Sequence, residues 1–565
     1  MICGGSSDND QSNLGEATSE FIACDATFHA GLASREFGRD AVTFALAIDP
    51  GSSLSDIEWT PARLKTLEHF KRAILVDDFL RPGQQTSFGT TFGWKRQDSF
   101  LRSMRQFCGG SLPSIDEGIP EIIASPVRLL MRLINRYEID LKAKLATGQN
   151  AMRLSPNLYM DPDARNLQDE VLDDPKGARL VRALGPKIPN RPRSCRVFTR
   201  HSILNLTADA IPEDLVSACA TRTLANGDPF NAESMRNHAE KVMEDFFALV
   251  GGEVVALPLA VGSMGSRLIL DVPAGDPPST QDVQRVAVGD GYFRPVTEND
   301  RKLFPMASDP LGAVWVTSED SRVEFEQIGT TERPFEADNK VWESVRDGLR
   351  DPHDNWETIV QAAVLSAPTF PPPAWQLSDF FPTGLIGPPS GIYSRRGLAI
   401  SPAVPEVNIR DLVEIEEWYE KLNSQPTALR VSRSRLVSAL ISRPDPVDAL
   451  VDAVVAWEGI FSGTPETQMR TVLPSCKILA KPDEVNQVLK SMKQVYSLRS
   501  QLVHGAPRKK RDDPDSVIEA RDKSLQWVTA LLRYLFSEAP DLLALSASAR
   551  SEAVLLPGSQ VTAKI

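Results

Sequence analysis

The sequence has few cysteines, and their placement argues against two classes of small stabilised domain. Six cysteines are scattered over 565 residues, none in a Cys-x-x-Cys pair and none at metal-ligand spacing from a histidine. Structural zinc sites and disulfide frameworks both depend on such spacing. We therefore predict no metal site, no disulfide framework and no bound cofactor.

Long apolar segments are also missing. The sequence contains no run of about 20 apolar residues, the length that a helix needs to cross a bilayer. Residues 1–20 have neither the charged start nor the apolar centre of a signal peptide. These absences predict a protein that makes no membrane contact and is located in the cytoplasm.

Positive charge is in deficit. The chain has 62 Lys and Arg against 75 Asp and Glu, which gives a formal net charge of -13 at pH 7. A general attraction to nucleic acid is therefore excluded, and any contact with it would need a local basic patch.

The motifs of several common enzyme sites are absent as well. The glycine-containing stretches GGSS (4–7) and VGSMGS (261–266) lack the lysine of a phosphate-binding loop. No G-x-S-x-G, H-E-x-x-H or protein-kinase signature is present. The cluster DPHDN at 351–355 is predicted to be a surface turn, which is a more common use of these residues than metal binding.

What the sequence does contain is a change from mixed to helical patterning along the chain. A length of 565 residues predicts about three domains. We predict a multidomain fold, with a mixed α+β N-terminal region followed by an all-α C-terminal helical bundle. The predicted segments are a disordered N-terminus (1–20), a mainly helical region (21–210), a mixed α+β region (211–365), a Pro-rich connector (366–407), the helical bundle (408–545) and a tail (546–565).

Two helices of the predicted bundle each carry one charge on an otherwise apolar face. On a helical wheel of about 100° per residue, Arg499 falls near the middle of the apolar face of 482–504. Glu458 falls inside the apolar stripe of 446–461. An unpaired buried charge is very unfavourable, so we expect Glu458 and Arg499 to meet across the bundle core. A structural ion pair that fixes helix register would explain this pattern equally well.

His504 stands at the end of the same predicted helix, directly before Gly505. Helix geometry places it roughly 140° around the helix from Arg499 and about 7.5 Å further along the axis. A histidine beside a fixed cation suits proton transfer during phosphate chemistry. Simple capping of the helix end is the alternative explanation.

A dense basic run follows immediately. Arg508, Lys509, Lys510 and Arg511 lie in the turn beside His504. Such runs are usually solvated turns, but this position favours contact with a phosphate backbone.

The stretch YSLRSQLVHG (496–505) resembles the Arg-x4–6-His signature of HEPN domains, and more narrowly their ApeA-like branch. The helix LVDAVVAWEGIFSG, which contains Glu458, is similar to that branch too. The resemblance is limited to residues 410–540. A second Arg-x4-His match, RVFTRH from Arg196 to His201, lies in a predicted strand, which would place the two side chains on opposite faces.

The resemblance implies a metal-independent endoribonuclease that works as a homodimer or higher homo-oligomer through the C-terminal bundle. It implies that His504 is the general acid–base and that Arg499 stabilises the transition state, giving 2′,3′-cyclic phosphate ends. Glu458 would orient Arg499. Ser500 holds a position where many active members carry Asn, Asp or His. The N-terminal region would sense an unknown trigger or regulate the bundle, as in bacterial antiviral or toxin-type systems.

Two other interpretations remain open. In the first, the bundle is a non-catalytic dimerisation or ligand-binding module, and Arg499 and Glu458 have only a structural role. In the other, the N-terminal region holds an enzyme and the bundle only assembles it.

Overall fold

A computed structural model describes most of the chain. The described residues are 25–49, 51–79, 99–146, 158–187, 192–264, 267–268, 285–304, 311–328, 335–349, 352–367, 376–387, 393–394, 406–407, 409–462, 467–504 and 514–556. The predicted disordered N-terminus, residues 1–20, lies outside them.

Helices dominate the first part of the chain, as predicted for 21–210. They are α1 (25–37), α2 (Arg39–Ala45), α3 (Pro61–Phe79), α4 (Phe100–Phe107), α5 (Ser125–Ala146), α6 (Pro162–Asp173) and α7 (Ala178–Leu184). Side-chain caps begin several of them: the Asp161 carboxylate accepts the backbone N–H of Asp163, and the Ser99 hydroxyl accepts that of Arg102. Such caps satisfy backbone donors that have no partner inside the helix.

Strands and helices alternate in the following part. In chain order these are β1 (Ser194–Phe198), β2 (Ile203–Thr207), α8 (Ile211–Asn226), α9 (Ala232–Arg236), α10 (Ala239–Gly251), β3 (Val255–Met264), β4 (Arg267–Leu268), β5 (Val286–Val288), β6 (Gly291–Arg294), α11 (Glu298–Leu303), β7 (Leu311–Ser321), β8 (Glu324–Gln327), α12 (Phe335–Arg346), α13 (Pro352–Ser366), β9 (Gln376–Pro382), β10 (Tyr393–Ser394) and β11 (Glu406–Val407). A mixed α+β fold before the C-terminal helices is confirmed at that level, although β1 and β2 lie within residues 21–210, which were predicted to be mainly helical.

The described strands form two antiparallel sheets and one short parallel pair. The larger sheet has the order β10-β9-β3-β7-β6-β5, the smaller has the order β2-β1-β8, and β11 pairs with β4. The long strands β3 and β7 form the centre of the larger sheet, from Val255 opposite Ser321 to Met264 opposite Leu311.

The central strand β7 of the larger sheet is buried on both faces. Alternate residues of β7 point to opposite sides: Val314 and Val316 join a core built with α5, α8 and α10, whereas Ala313 and Trp315 join a second core. That second core continues into the C-terminal helices through residues such as Trp457. The sheet is therefore a layer shared by the N-terminal helices and the C-terminal bundle.

The described chain is helical from residue 409 onward, as the bundle prediction requires. The helices are α14 (Ile409–Asn423), α15 (Arg430–Val437), α16 (Pro446–Phe461), α17 (Thr467–Leu479), α18 (Val485–Val503), α19 (Pro514–Ser537) and α20 (Ala547–Leu555). Pro446 and Pro514 are the first residues of α16 and α19, a position where the missing N–H of proline costs nothing. Among the described residues, no helix is both long and apolar enough to cross a membrane.

Three predicted loop regions contain regular structure. Residues 352–355 of the predicted DPHDN turn begin α13, because Pro352 suits a first helical turn. Within the predicted connector 366–407, β9 pairs with β3 in the larger sheet. In the predicted tail 546–565, α20 forms because Ser546 caps it and Val554 is fully buried.

Candidate functional site

The helix α18 carries both residues of the Arg-x4-His match and lies at the edge of the bundle. Only Met492 and Val495 of its residues are buried, whereas Val485 and Val503 near its ends are 39% and 50% exposed. Its inner side completes a small apolar cluster between α16, α18 and α19. The buried members of this cluster are Leu450, Val454, Val495, Val517 and Ala520.

Glu458 belongs to α16, the most enclosed helix beside the site. Trp457, Ile460 and Phe461 of this helix are fully buried. At Gly459, an added Cβ would lie 2.6 Å from the Ser432 hydroxyl of α15. The glycine therefore permits the close approach of α15 to α16, which fixes the end of α16 that bears Glu458.

The structure brings Glu458 and Arg499 together, as the helical wheels predict. Arg499 Nη2 lies 3.8 Å from Glu458 Oε2, and the two side chains are 21% and 19% exposed. The prediction of a core position is too strong, because α18 packs at the bundle edge and leaves the pair partly in contact with solvent. The distance is too long for a hydrogen bond, so the pair is held by charge attraction alone.

Tyr496 completes the arrangement, and its role was not recognised from the sequence. Its hydroxyl donates a hydrogen bond to Glu458 Oε1, the oxygen that does not face Arg499. Tyr496 and Arg499 are three residues apart on α18 and so lie on the same side of the helix. That spacing is the sequence signal that could have indicated a shared partner.

Arg499 is left with unused hydrogen-bonding capacity. Its Nε atom is buried and has no hydrogen-bond partner among the described residues. A buried donor without a partner is unfavourable by about 1–3 kcal/mol. A bound anion such as a phosphate would supply acceptors for it, since guanidinium groups bind phosphate oxygens in pairs.

His504 ends α18 and is exposed. Its backbone N–H donates to the Ser500 carbonyl at 3.1 Å, which closes the last turn. The Ser500 side chain is partly exposed in that turn. An exposed imidazole at a helix end is accessible to a ligand, and imidazole is the most common general acid or base in enzymes.

The sequence also supports predictions about RNA binding and metal binding. The basic run of Arg508, Lys509, Lys510 and Arg511 lies outside the described residues. Within the described part of the chain, no group of three or more His, Cys, Asp and Glu side chains is placed to hold a metal ion.

A separate acidic centre lies earlier on α16. Asp452 accepts hydrogen bonds from Arg435 at 2.8 Å, Ser438 at 2.9 Å and Arg443 at 2.7 Å. Burial alone would raise the pKa of Asp452, but the hydrogen bonds from Arg443 and Ser438 and the two arginine charges lower it overall. These contacts tie α15 and the π-helical segment Ser438–Ser442 that follows it to α16. No sequence pattern identified it.

The second Arg-x4-His match does not form one site. Arg196 lies in β1 and pairs with Asp338 at 3.0 Å, whereas His201 lies beyond the strand and is 2.8 Å from Glu319. The prediction of one strand through both residues is wrong, because β1 ends at Phe198 and a turn that contains His201 leads into β2. The two side chains have different partners. His201, Arg200 and Glu319 line a cavity of about 50 Å³ between the two antiparallel sheets.

Comparison with known proteins gives no match. No family model, no curated protein and no solved structure matches this chain.

Proposed function

We propose that the C-terminal bundle is an endoribonuclease of the HEPN type that needs no metal. The proposal is supported by an Arg-x4-His pair on one helix, with the arginine beside a glutamate of a neighbouring helix and the histidine at the helix end. The rest of the chain would sense a trigger or regulate the bundle, as in bacterial antiviral or toxin-type systems.

The observation that carries the proposal is the state of Arg499. A purely structural ion pair would be expected to close into short, paired hydrogen bonds, which is the favoured geometry between arginine and a carboxylate. Here the nearest pair of atoms is 3.8 Å apart, and Nε has no partner among the described residues. This is the arrangement expected of an arginine that binds an anionic ligand.

The proposed chemistry needs only a proton carrier and a fixed cation. His504 would accept the proton of a ribose 2′-hydroxyl as that oxygen attacks the adjacent phosphorus. Arg499 would stabilise the negative charge that builds up on the phosphorane-like transition state. The bond from phosphorus to the 5′-oxygen breaks, and this oxygen takes up a proton from a protonated His504. The products are a 2′,3′-cyclic phosphate and a 5′-hydroxyl end.

A second copy of the chain would complete the site. His504 and Arg499 are roughly 140° apart around α18, so one phosphate is not readily reached by both side chains of one helix. In a homodimer with two α18 helices facing each other, each phosphate could meet residues from both copies. The basic run Arg508–Arg511 would hold the RNA backbone on either side of the cut.

The test is an assay of RNA cleavage by the full-length protein with a chelator present. We expect fragments with 2′,3′-cyclic phosphate ends from the wild type and none from the His504→Ala variant. Cleavage that persists in the variant would remove His504 from the mechanism. A wild type that binds RNA without cutting it would favour a non-catalytic binding module.

A further inference from the structure

Glu458 is shared between two side chains of α18, and the sharing is unequal. Tyr496 makes a hydrogen bond to Oε1, whereas Arg499 remains 3.8 Å from Oε2. Glu458 is therefore hydrogen-bonded to the neutral Tyr496, whereas the charged Arg499 is near it without a hydrogen bond.

The choice of partner has a consequence for Arg499. A carboxylate with both oxygens available would bind a guanidinium through two parallel hydrogen bonds, which are short and strong. Such a pair would occupy the N–H groups that a phosphate needs. The Tyr496 hydroxyl occupies one of the acceptor sites of Oε1 and holds the carboxyl group in a rotation that leaves Oε2 3.8 Å from Arg499 Nη2.

We infer that Tyr496 is a positioning residue that acts through Glu458 to keep the Arg499 guanidinium open for an RNA phosphate. The inference rests on the proposed function for its biological meaning. The effect of Tyr496 on the ion pair does not depend on RNA: without the tyrosine hydroxyl, Glu458 and Arg499 should pair more tightly with each other.

This effect on the ion pair can be measured on the protein alone. A double-mutant cycle with Glu458→Gln and Arg499→Met gives the coupling between the two residues from the unfolding equilibrium. We expect the coupling constant to be about threefold larger in the Tyr496→Phe background than in the wild-type background, a change of the size that separates weak from well-formed ion pairs. An unchanged or smaller coupling would overturn the inference, whether or not the protein cuts RNA.

The consequence for RNA is measured with two probes. Affinity is followed with a 2′-O-methyl oligonucleotide, which cannot be cleaved by attack of the 2′-oxygen, and turnover is followed with the matching RNA. We expect Tyr496→Phe to weaken both by about tenfold, the usual effect of disturbing one charged contact.

Rescue separates positioning from a merely structural role. In Tyr496→Phe/Glu458→Gln, the neutral amide cannot hold the guanidinium in an ion pair, so affinity and turnover should rise above those of Tyr496→Phe. A double variant no better than Tyr496→Phe would contradict the inference. Absence of turnover in every protein, with the expected pattern of coupling and affinity, would instead reject only the proposed cleavage.

Discussion

Arg499 lies 3.8 Å from Glu458 without a hydrogen bond between them, while Tyr496 donates to the same carboxylate. This relationship makes Arg499 a poor contributor to stability and a good candidate for binding an anion. Residues kept for function are often unfavourable for folding, because their best partner is the ligand.

The first prediction concerns replacement of Arg499 by an apolar side chain of similar length. Arg499→Met removes a buried Nε that has no described partner, but it also removes a weak ion pair with Glu458, so the free energy of unfolding should change by less than about 1 kcal/mol. RNA cleavage should be lost. Chemical denaturation of the purified variant measures the first effect.

Arg550 provides the matched control in the same bundle. Its buried guanidinium donates to the backbone carbonyls of Ile460, Leu542 and Leu545. Arg550→Met would leave these acceptors without partners and should lower the free energy of unfolding by about 2 kcal/mol or more. A loss of similar size in Arg499→Met would indicate that Arg499 is structural.

The second prediction is a pH dependence centred on Asp452. Its pKa is lower in the folded protein than in the unfolded chain, so its contribution to stability is present above the unfolded value of about 3.9. The contribution is lost as pH falls through the folded pKa. Asp452→Asn should lower stability by about 1–3 kcal/mol near pH 7.

The difference between wild type and Asp452→Asn should narrow as pH falls below about 4, where the wild-type carboxyl also becomes neutral. Melting temperatures from pH 3 to pH 7 measure this narrowing. Asp483→Asn is the control, because Asp483 is exposed in the turn before α18. If the two melting temperatures differed by the same amount from pH 3 to pH 7, the charge of Asp452 would not contribute to stability through its arginine contacts.

The third prediction concerns the close approach at Gly459. Gly459→Ala would place a methyl group against the buried Ser432 hydroxyl and should destabilise the bundle by about 1–3 kcal/mol. Adding Ser432→Ala should recover much of that loss. Gly31→Ala is the control, since Gly31 lies in helix α1 with nothing within 4 Å of the added Cβ, and alanine favours helices by about 1 kcal/mol.

The fourth prediction concerns the basic run. Replacing Arg508, Lys509, Lys510 and Arg511 by glutamine should weaken RNA binding at low salt and reduce the slope of log affinity against log salt. Each lost phosphate contact lowers that slope by about 0.7 for single-stranded RNA. Replacing Lys490 and Lys493 by glutamine, two lysines exposed on α18, is the control. It removes the same charge as replacing two of the four basic residues of the run. Equal slopes in all proteins would exclude the run from the RNA interface.

Local periodicity explains why some of the site could be predicted. The positions of Glu458 and Arg499 on their helices follow from about 100° of rotation per residue, a property that each helix has by itself. The same holds for His504 at the end of α18, since a following glycine marks helix ends. The all-helical character of the described chain after residue 409 was predictable for the same reason.

Contacts that depend on how elements pack could not be predicted in this way. The hydrogen bond from Tyr496 to Glu458 depends on the separation of α16 and α18, and the Asp452 contacts depend on the path of α15. Strand β9 lies in proline-rich sequence and is defined by its pairing with β3, far earlier in the chain. No local pattern encodes these relationships.

The most direct test of the account is the end group left on RNA by the full-length protein, compared between the wild type and His504→Ala. His504 is exposed at the end of α18, so its removal should leave the melting temperature unchanged. His201→Ala, from the other Arg-x4-His match, should still cut. The account predicts 2′,3′-cyclic phosphate ends from the wild type and none from His504→Ala. Equal release of these ends by both proteins would contradict it.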